Sequence, residues 1–247
     1  MDPETGTQRT MTASNLAERF TVPPPVALVR GLGPSQPRAE GARRVLNVVV
    51  AVVGLVIAAP VMAVIALLIR LTSPGPVLFM QTRVGLDRRN PKVDANGRRH
   101  LDLGGQPFRI YKFRTMYVQP KTEQVWARPD DPRITPVGRV LRKYRLDELP
   151  QLLNVLRGDM NIVGPRPEQP GIVTDLQQQI TSYQLRHKVR PGITGWAQIN
   201  HHYDRSIEDV RRKVSLDLEY IGRQSFTEDL KIMLRTVPVV VLRKGGW

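Results

Sequence analysis

The sequence predicts an α+β fold that is mainly helical: one membrane helix, a β-hairpin, and amphipathic helices around a small globular part. Three observations carry this. From Val45 to Ile69 the chain reads VLNVVVAVVGLVIAAPVMAVIALLI, with no charge and Asn47 as its single conventional polar side chain. Two short alternating segments, Val77–Arg83 and Pro107–Met116, flank a polar insertion with an Asn96-Gly97 turn signal and read as the two arms of a hairpin. Beyond them apolar residues recur at helical spacing, most cleanly at Ile207, Val210, Val214, Leu218 and Ile221.

Taken in order, residues 1–44 carry Asp2, Glu4, Glu18 and the run Pro23-Pro24-Pro25 with no early apolar stretch. This is no signal peptide and reads as a disordered extension. Residues 45–70 form the membrane element. A soluble helix keeps a polar stripe that this one lacks, and at about 1.5 Å per residue it can cross a hydrocarbon core of roughly 30 Å. Pro60 removes the hydrogen bond to the Val56 carbonyl and is expected to kink the helix. Arg43, Arg44 and Arg70 place positive charge at both ends. Basic flanks mark the cytoplasmic side, so spanning and re-entrant arrangements both stand on these grounds.

Residues 71–247 make up the globular part. Ser73-Pro74-Gly75-Pro76 is a turn. Asp130-Asp131-Pro132 suits a turn better than a metal site, and Arg139–Tyr144 reads as a short basic helix. Pro150 is tolerated only in a first helical turn, which starts the next helix near Leu149 and ends it near Leu156. A helix is expected over Gly171–Val189 and a glycine-containing loop over Arg190–Gln198. Asp229–Leu242 is apolar on most faces but carries Lys231 and Arg235, a mixture that suits a helix lying in a membrane interface.

Lys and Arg total 37 against 22 Asp and Glu, a formal charge of +15. Such an excess points to a polyanionic partner: nucleic acid, an anionic membrane surface or a phosphorylated substrate. Nucleic acid has charge alone in its favour, since aromatic residues are few and no binding module is recognisable. With no cysteine, disulfides, thiolate zinc sites and a cysteine nucleophile are excluded. His201-His202 lacks further ligands at zinc spacing and reads as a loop. A metal-dependent glycosyltransferase would want a D-x-D motif after a strand, and none is convincing.

The densest chemistry lies between Arg139 and Glu168. Adjacent Asp147-Glu148 follow Arg139, Arg142, Lys143 and Arg145 and precede the stiff Gly164-Pro165-Arg166-Pro167. Two acids among many bases fit chemistry on a phosphate, and equally a surface cluster of ion pairs. Pro150 puts the acids at or just outside a helix start, where anions are favoured. Arg166 between two prolines is preorganised for phosphate. Lys112 and Arg114 share a strand face that either lines a phosphate groove or guards a sheet edge. Arg142 can meet a lipid headgroup or a substrate phosphate, and Arg190 with the Gly192–Gly195 loop can serve a nucleotide.

Arg83-Val-Gly85, Tyr111-Lys-Phe-Arg-Thr-Met116, Leu146-Asp-Glu-Leu-Pro-Gln151, Gly158-Asp-Met160, Gly164-Pro-Arg-Pro-Glu168 and Arg190-Pro-Gly-Ile-Thr-Gly195 occur in this order. Together they resemble the bacterial sugar transferases, monotopic polyprenyl-phosphate phosphoglycosyl transferases that initiate exopolysaccharide and glycoconjugate assembly. The resemblance runs from about Val45 onward and leaves residues 1–44 outside. It implies a re-entrant helix broken at Pro60, although here the proline follows Ala59 where many members have serine. It implies a cytoplasmic catalytic domain at the bacterial inner membrane, ringed by interfacial helices. Sugar-1-phosphate would pass from a UDP-sugar to polyprenyl (undecaprenyl) phosphate, with release of UMP. Asp147 would be the nucleophile that holds phospho-sugar covalently, and Glu148 the ligand of Mg2+. Lys112, Arg114, Arg142, Arg166 and Arg190 would serve phosphate, and Asp217 matches a recurrent acid of the family. The lipid bilayer is an implied partner, nucleic acid is not, and a homodimer is compatible with this reading.

Overall fold

A computed structural model describes residues 37–88, 103–118, 131–201 and 206–241. Of the extension expected to be disordered over residues 1–44, residues 1–36 lie outside these residues, as do the hairpin tip at 89–102, Asp130 and His202, while 37–44 are helical.

Helix α1 (Pro37–Thr72) is long and apolar enough to cross a membrane. It starts eight residues before Val45, so the expected boundary at residue 45 moves to Pro37. The reason is docking. Arg43 donates from Nε to Asp229 at 2.8 Å, and Arg44 donates to the Val155 and Leu156 carbonyls at 2.7 and 2.8 Å. Asn47 accepts from the Ile162 N–H at 2.5 Å and donates to the Arg43 carbonyl, so the lone polar side chain of the apolar run faces protein. On the other side Val45, Val49, Val56, Ile57, Val64 and Leu71 are exposed. The helix does not end at Pro60 but continues through it.

The far end of α1 is held as firmly. Arg114 donates from Nη2 to the Ser73 carbonyl and hydroxyl, both at 2.8 Å, and from Nη1 to the Pro74 carbonyl. Strands β1 (Leu78–Val84) and β2 (Pro107–Phe113) then form the expected antiparallel hairpin, in a register running from Leu78 opposite Phe113 to Val84 opposite Pro107.

Helix α2 (Pro136–Lys143) begins with Thr135, whose hydroxyl accepts from the Gly138 N–H at 2.8 Å. A tight 3-10 turn, Leu146–Glu148, leads to α3 (Gln151–Arg157), which ends on left-handed Gly158. Asn154 is fully buried and joins α3 to the outer edge of β2, accepting from the Tyr111 N–H and donating to the Arg109 carbonyl. A second, parallel sheet pairs β3 (Asn161–Val163) with β4 (Gly192–Thr194), where the sequence reads only as a loop.

Helix α4 (Pro170–Gln179) is shorter than the expected Gly171–Val189 element. Ile180 is extended, and a second 3-10 turn, Tyr183–Lys188, carries Tyr183, Arg186 and His187 into the core instead of along a solvent-facing helix. The short α5 (Trp196–Asn200) follows β4. Helix α6 (Ile207–Arg223) starts on a Ser206–Asp209 capping box and buries its apolar stripe as the periodicity predicts. Helix α7 (Phe226–Val241) buries Asp229 and Ile232 and exposes Phe226, Leu230, Leu234 and Val237, a continuous apolar stripe on the surface.

Two cores result. The larger gathers Val84, Ile110, Val155, Met160, Val163, Val173, Val214 and Leu218 with Ala51 of α1. The smaller packs Ile65 and Ile69 of α1 against Phe113 and Leu141, with Leu146 and Leu149 on its edge. The turn that carries Asp147 and Glu148 therefore borders a core to which α1 contributes.

Candidate active site

The chain leaves α2 through Arg145, whose φ of 54° puts a non-glycine residue in the left-handed region. This reverses the backbone into the 3-10 turn. Leu146 and Leu149 anchor the turn on the core of Ile65, Ile69, Phe113 and Leu141, and the two acids between them meet cations brought by other elements.

Lys112 of β2 donates to Glu148 Oε1 at 2.8 Å and stands 3.9 Å from Asp147 Oδ2. Arg166 donates from Nη2 to the same Glu148 Oε1 at 2.8 Å. Arg142 donates from Nε to the Thr115 hydroxyl at 3.0 Å, and its charge acts on Asp147. Among the described residues no hydrogen bond reaches Asp147 or Oε2 of Glu148. The pair is thus divided by its surroundings: one carboxylate is clamped through a single oxygen, its neighbour is bathed in positive field and left without a donor.

The titration of the two follows. Burial pushes Glu148 up, but Arg166 and Lys112 together outweigh it and hold the carboxyl well below its ordinary range. Burial also pushes Asp147 up, and there it prevails, with the Glu148 charge adding to it against Lys112, Arg166 and Arg142. A third acid stands close by. Glu168 pairs with Lys213 at 3.2 Å and Arg83 at 3.5 Å; burial raises it, and Lys213, Arg186, Arg83 and Arg166 bring it below its ordinary value.

Lys112, Arg142 and Arg166 therefore converge on Asp147 and Glu148. Three other residues singled out in the sequence do not. Arg114 sits one residue past β2, where its guanidinium turns back to hold Ser73 and Pro74 instead of sharing a groove with Lys112. Arg190 donates to the Gly158 carbonyl at 3.1 Å and to Glu40 at 3.1 Å, beside the start of α1. Asp217 is 2% exposed and pairs with Arg186 at 2.7 Å. Conversely, sequence reasoning attached no role to Arg83, Glu168, Arg186 or Lys213. Arg83 and Glu168 lie inside recognisable motifs, while Arg186 and Lys213 look like ordinary helix-flank bases.

A divalent cation needs several oxygen ligands. Among the described residues no group of three or more His, Cys, Asp or Glu side chains could hold one. Mg2+ commonly binds through one or two carboxylates plus substrate phosphates. Glu148, ionised and with Oε2 uncommitted, fits that mode, and Asp147 beside it is the only neighbour acid without a hydrogen bond among the described residues.

With this geometry in place, the comparison with known proteins is direct. Residues 38–243 match the profile of the bacterial sugar transferase family, and the chain belongs to that family. The match begins at residue 38, earlier than the Val45 expected from the motifs, in keeping with the start of α1. The chain is 40% identical over 205 residues to a UDP-N-acetylgalactosamine-undecaprenyl-phosphate N-acetylgalactosaminephosphotransferase of Aeromonas hydrophila, covering 83% of this chain and 44% of the relative. It is 43% identical over 198 residues to a UDP-glucose:undecaprenyl-phosphate glucose-1-phosphate transferase of Escherichia coli K12, covering 79% of this chain and 39% of the relative. A relative with the same activity in its name, from Caulobacter vibrioides, is 43% identical over 208 residues, 83% of this chain and 72% of the relative. The chain thus spans less than half the length of the first two.

Proposed function

We propose that this chain transfers sugar-1-phosphate from a UDP-sugar to polyprenyl phosphate, with undecaprenyl phosphate as acceptor, and releases UMP. The observation that carries the reading is the division of labour within the acid pair: Glu148 is fastened by Lys112 and Arg166, whereas Asp147 accepts no hydrogen bond from a described residue. A carboxylate so placed is available to attack.

In the first step an Asp147 oxygen attacks the sugar-linked phosphorus, the bond from that phosphorus to the bridging oxygen breaks, and UMP leaves with the electron pair. In the second, a phosphate oxygen of the polyprenyl phosphate attacks the same phosphorus and the aspartyl oxygen departs. Repulsion between carboxylate and diphosphate is the main obstacle. Lys112, Arg142 and Arg166 offset it by holding positive charge around Asp147. Glu148 with the substrate phosphates would hold Mg2+, which supplies further neutralisation of the diphosphate.

The reading extends to topology. One domain grips both ends of α1, Arg43 and Arg44 at the start and Ser73 and Pro74 at the finish. Ends on opposite sides of a roughly 30 Å hydrocarbon core could not both be held by one water-soluble domain. This supports a re-entrant helix at the inner membrane, with the catalytic domain on the cytoplasmic side and the stripe of α7 in the interface. The acids lie between Leu146 and Leu149, which border the small core shared with Ile65 and Ile69 of α1, and would then meet a lipid phosphate at the bilayer surface.

The test is UMP release by purified protein from UDP-glucose and UDP-N-acetylgalactosamine with undecaprenyl phosphate and Mg2+. Release of UDP in place of UMP would refute phosphosugar transfer. Asp147→Asn is expected to abolish turnover and the radiolabelled sugar-phosphate adduct, and chelation by EDTA to stop the reaction reversibly. Because the chain has no cysteine, single cysteines before Arg43 and after Arg70 report topology, and labelling from opposite sides would refute re-entry.

A further inference from the structure

The loop that presents Arg166 is held in an unusual way. Four successive carbonyls, from Pro165 to Glu168, each accept a hydrogen bond, and the donors come from three separate parts of the chain. Pro165 accepts from the Gly192 N–H at 2.9 Å and Glu168 from the Val84 N–H at 2.9 Å. Arg166 accepts from Arg186 Nη2 at 2.9 Å and Pro167 from Arg83 Nη1 at 3.1 Å. The middle two donors are side chains, and the one on Arg166 itself is Arg186.

Arg186 is 2% exposed and is committed on several sides. Its Nε and Nη2 donate to Asp217 Oδ2 at 3.0 and 2.7 Å, and its Nη1 donates to the Tyr183 hydroxyl at 2.9 Å. The guanidinium also lies 5.2 Å from the centroid of the Tyr183 ring. A guanidinium this deep needs a counter-charge, and Asp217, itself buried, supplies it. Neither side chain is turned to an open surface where a substrate phosphate could reach it. The group is a bracket whose second Nη2 N–H ends on the main chain of Arg166.

We propose that Arg186, neutralised by Asp217 and braced by Tyr183, is a positioning residue that sets the reach of Arg166 to Glu148. The inference rests on the reading of the acid pair given above. It reassigns Asp217: the acid acts through Arg186 on the Arg166 loop and binds no substrate. The placement has a plain physical logic. Prolines on both sides of Arg166 stiffen its backbone but remove two N–H groups, so the loop is held largely through its carbonyls, and a buried guanidinium is a strong, directional donor for that task.

The experiment is a double-mutant cycle on UMP release, with Arg186→Lys and Arg166→Lys alone and together, and thermal unfolding measured on each. Arg186→Lys keeps the charge for Asp217 but loses the fork that reaches Asp217, Tyr183 and the Arg166 carbonyl together. It is expected to lower kcat about tenfold with KM for the UDP-sugar within about twofold, and to change kcat less than about twofold once Arg166 is already lysine. Equal fold losses in both backgrounds, or a rise in KM alone, would overturn the inference. If Arg186→Lys does not accumulate as folded protein, Tyr183→Phe takes its place in the cycle, since it removes a single hydroxyl from the bracket; a multiplicative effect there refutes the idea equally. Wild-type protein that releases no UMP would overturn the proposed function and this inference with it. UMP release with multiplicative losses overturns only the inference.

Discussion

Replacing Lys112 by methionine tests the electrostatics of the acid pair most directly. Its ammonium lies 2.8 Å from Glu148 Oε1 and 3.9 Å from Asp147 Oδ2, and all three side chains are less than a fifth exposed. Two unit charges about 4 Å apart attract by about 4 kcal/mol at an effective dielectric near 20. At about 1.4 kcal/mol per pKa unit this is roughly three units as an upper bound, and water entering the vacated space reduces it to about one or two. The sign is definite. Asp147 must be ionised to attack, Lys112 favours its ionised form, and removal pushes an already raised carboxyl further up. Glu148, held low partly by the same ammonium, moves in the same direction. The acid limb of kcat/KM for UMP release should therefore shift to higher pH by about one to two units. Lys143→Met, on α2 and away from the pair, serves as the control. An acid limb that stays in place, or moves to lower pH, would refute the assignment of Lys112 as the cation that keeps Asp147 ionised.

Other perturbations probe the frame. Arg43→Met strands Asp229 in a buried setting without its 2.8 Å partner, and should cost about 3–5 kcal/mol in detergent-solubilised protein. The double variant Arg43→Met/Asp229→Leu should recover part of that loss, and no recovery would contradict the pairing. Arg114→Leu removes the donors to Ser73 and Pro74 and is expected to cost about 1–3 kcal/mol while leaving KM for the UDP-sugar within twofold. A KM rise of tenfold at unchanged stability would return Arg114 to the substrate. Gly192→Ala drives a Cβ into the Gly164 N–H and the Thr194 carbonyl, so it should separate β3 from β4 and lose activity and melting temperature together. Normal behaviour of that variant would refute the close packing of the Arg166 loop on β4.

Much of the fold was legible because it is written locally. An apolar run needs only itself to declare a membrane helix, and two alternating segments around Asn96-Gly97 declare a hairpin. The α6 stripe and its Ser206 cap are equally self-contained. The strands β3 and β4 escaped because three residues each are too few to show alternation. The helix expected over Gly171–Val189 broke at Ile180 because burying Tyr183 and Arg186 outweighs continuing a regular turn.

By itself, the sequence determined that this is a basic α+β chain of the bacterial sugar transferase family with a helix long and apolar enough to cross a membrane, and it singled out Asp147-Glu148 as the candidate chemical centre. Tertiary structure alone decided which charges serve that centre. Lys112 and Arg166 reach Glu148 across 36 and 18 residues, and Asp217 finds Arg186 across 31. Arg114, two residues from Lys112 and identical in kind to Arg166, instead turns to the end of α1. The physical reason is that a side chain's type is a property of its position in the chain, whereas its partner depends on packing. A long cation pairs with whichever acceptor the packing of distant elements leaves within about 3 Å of it.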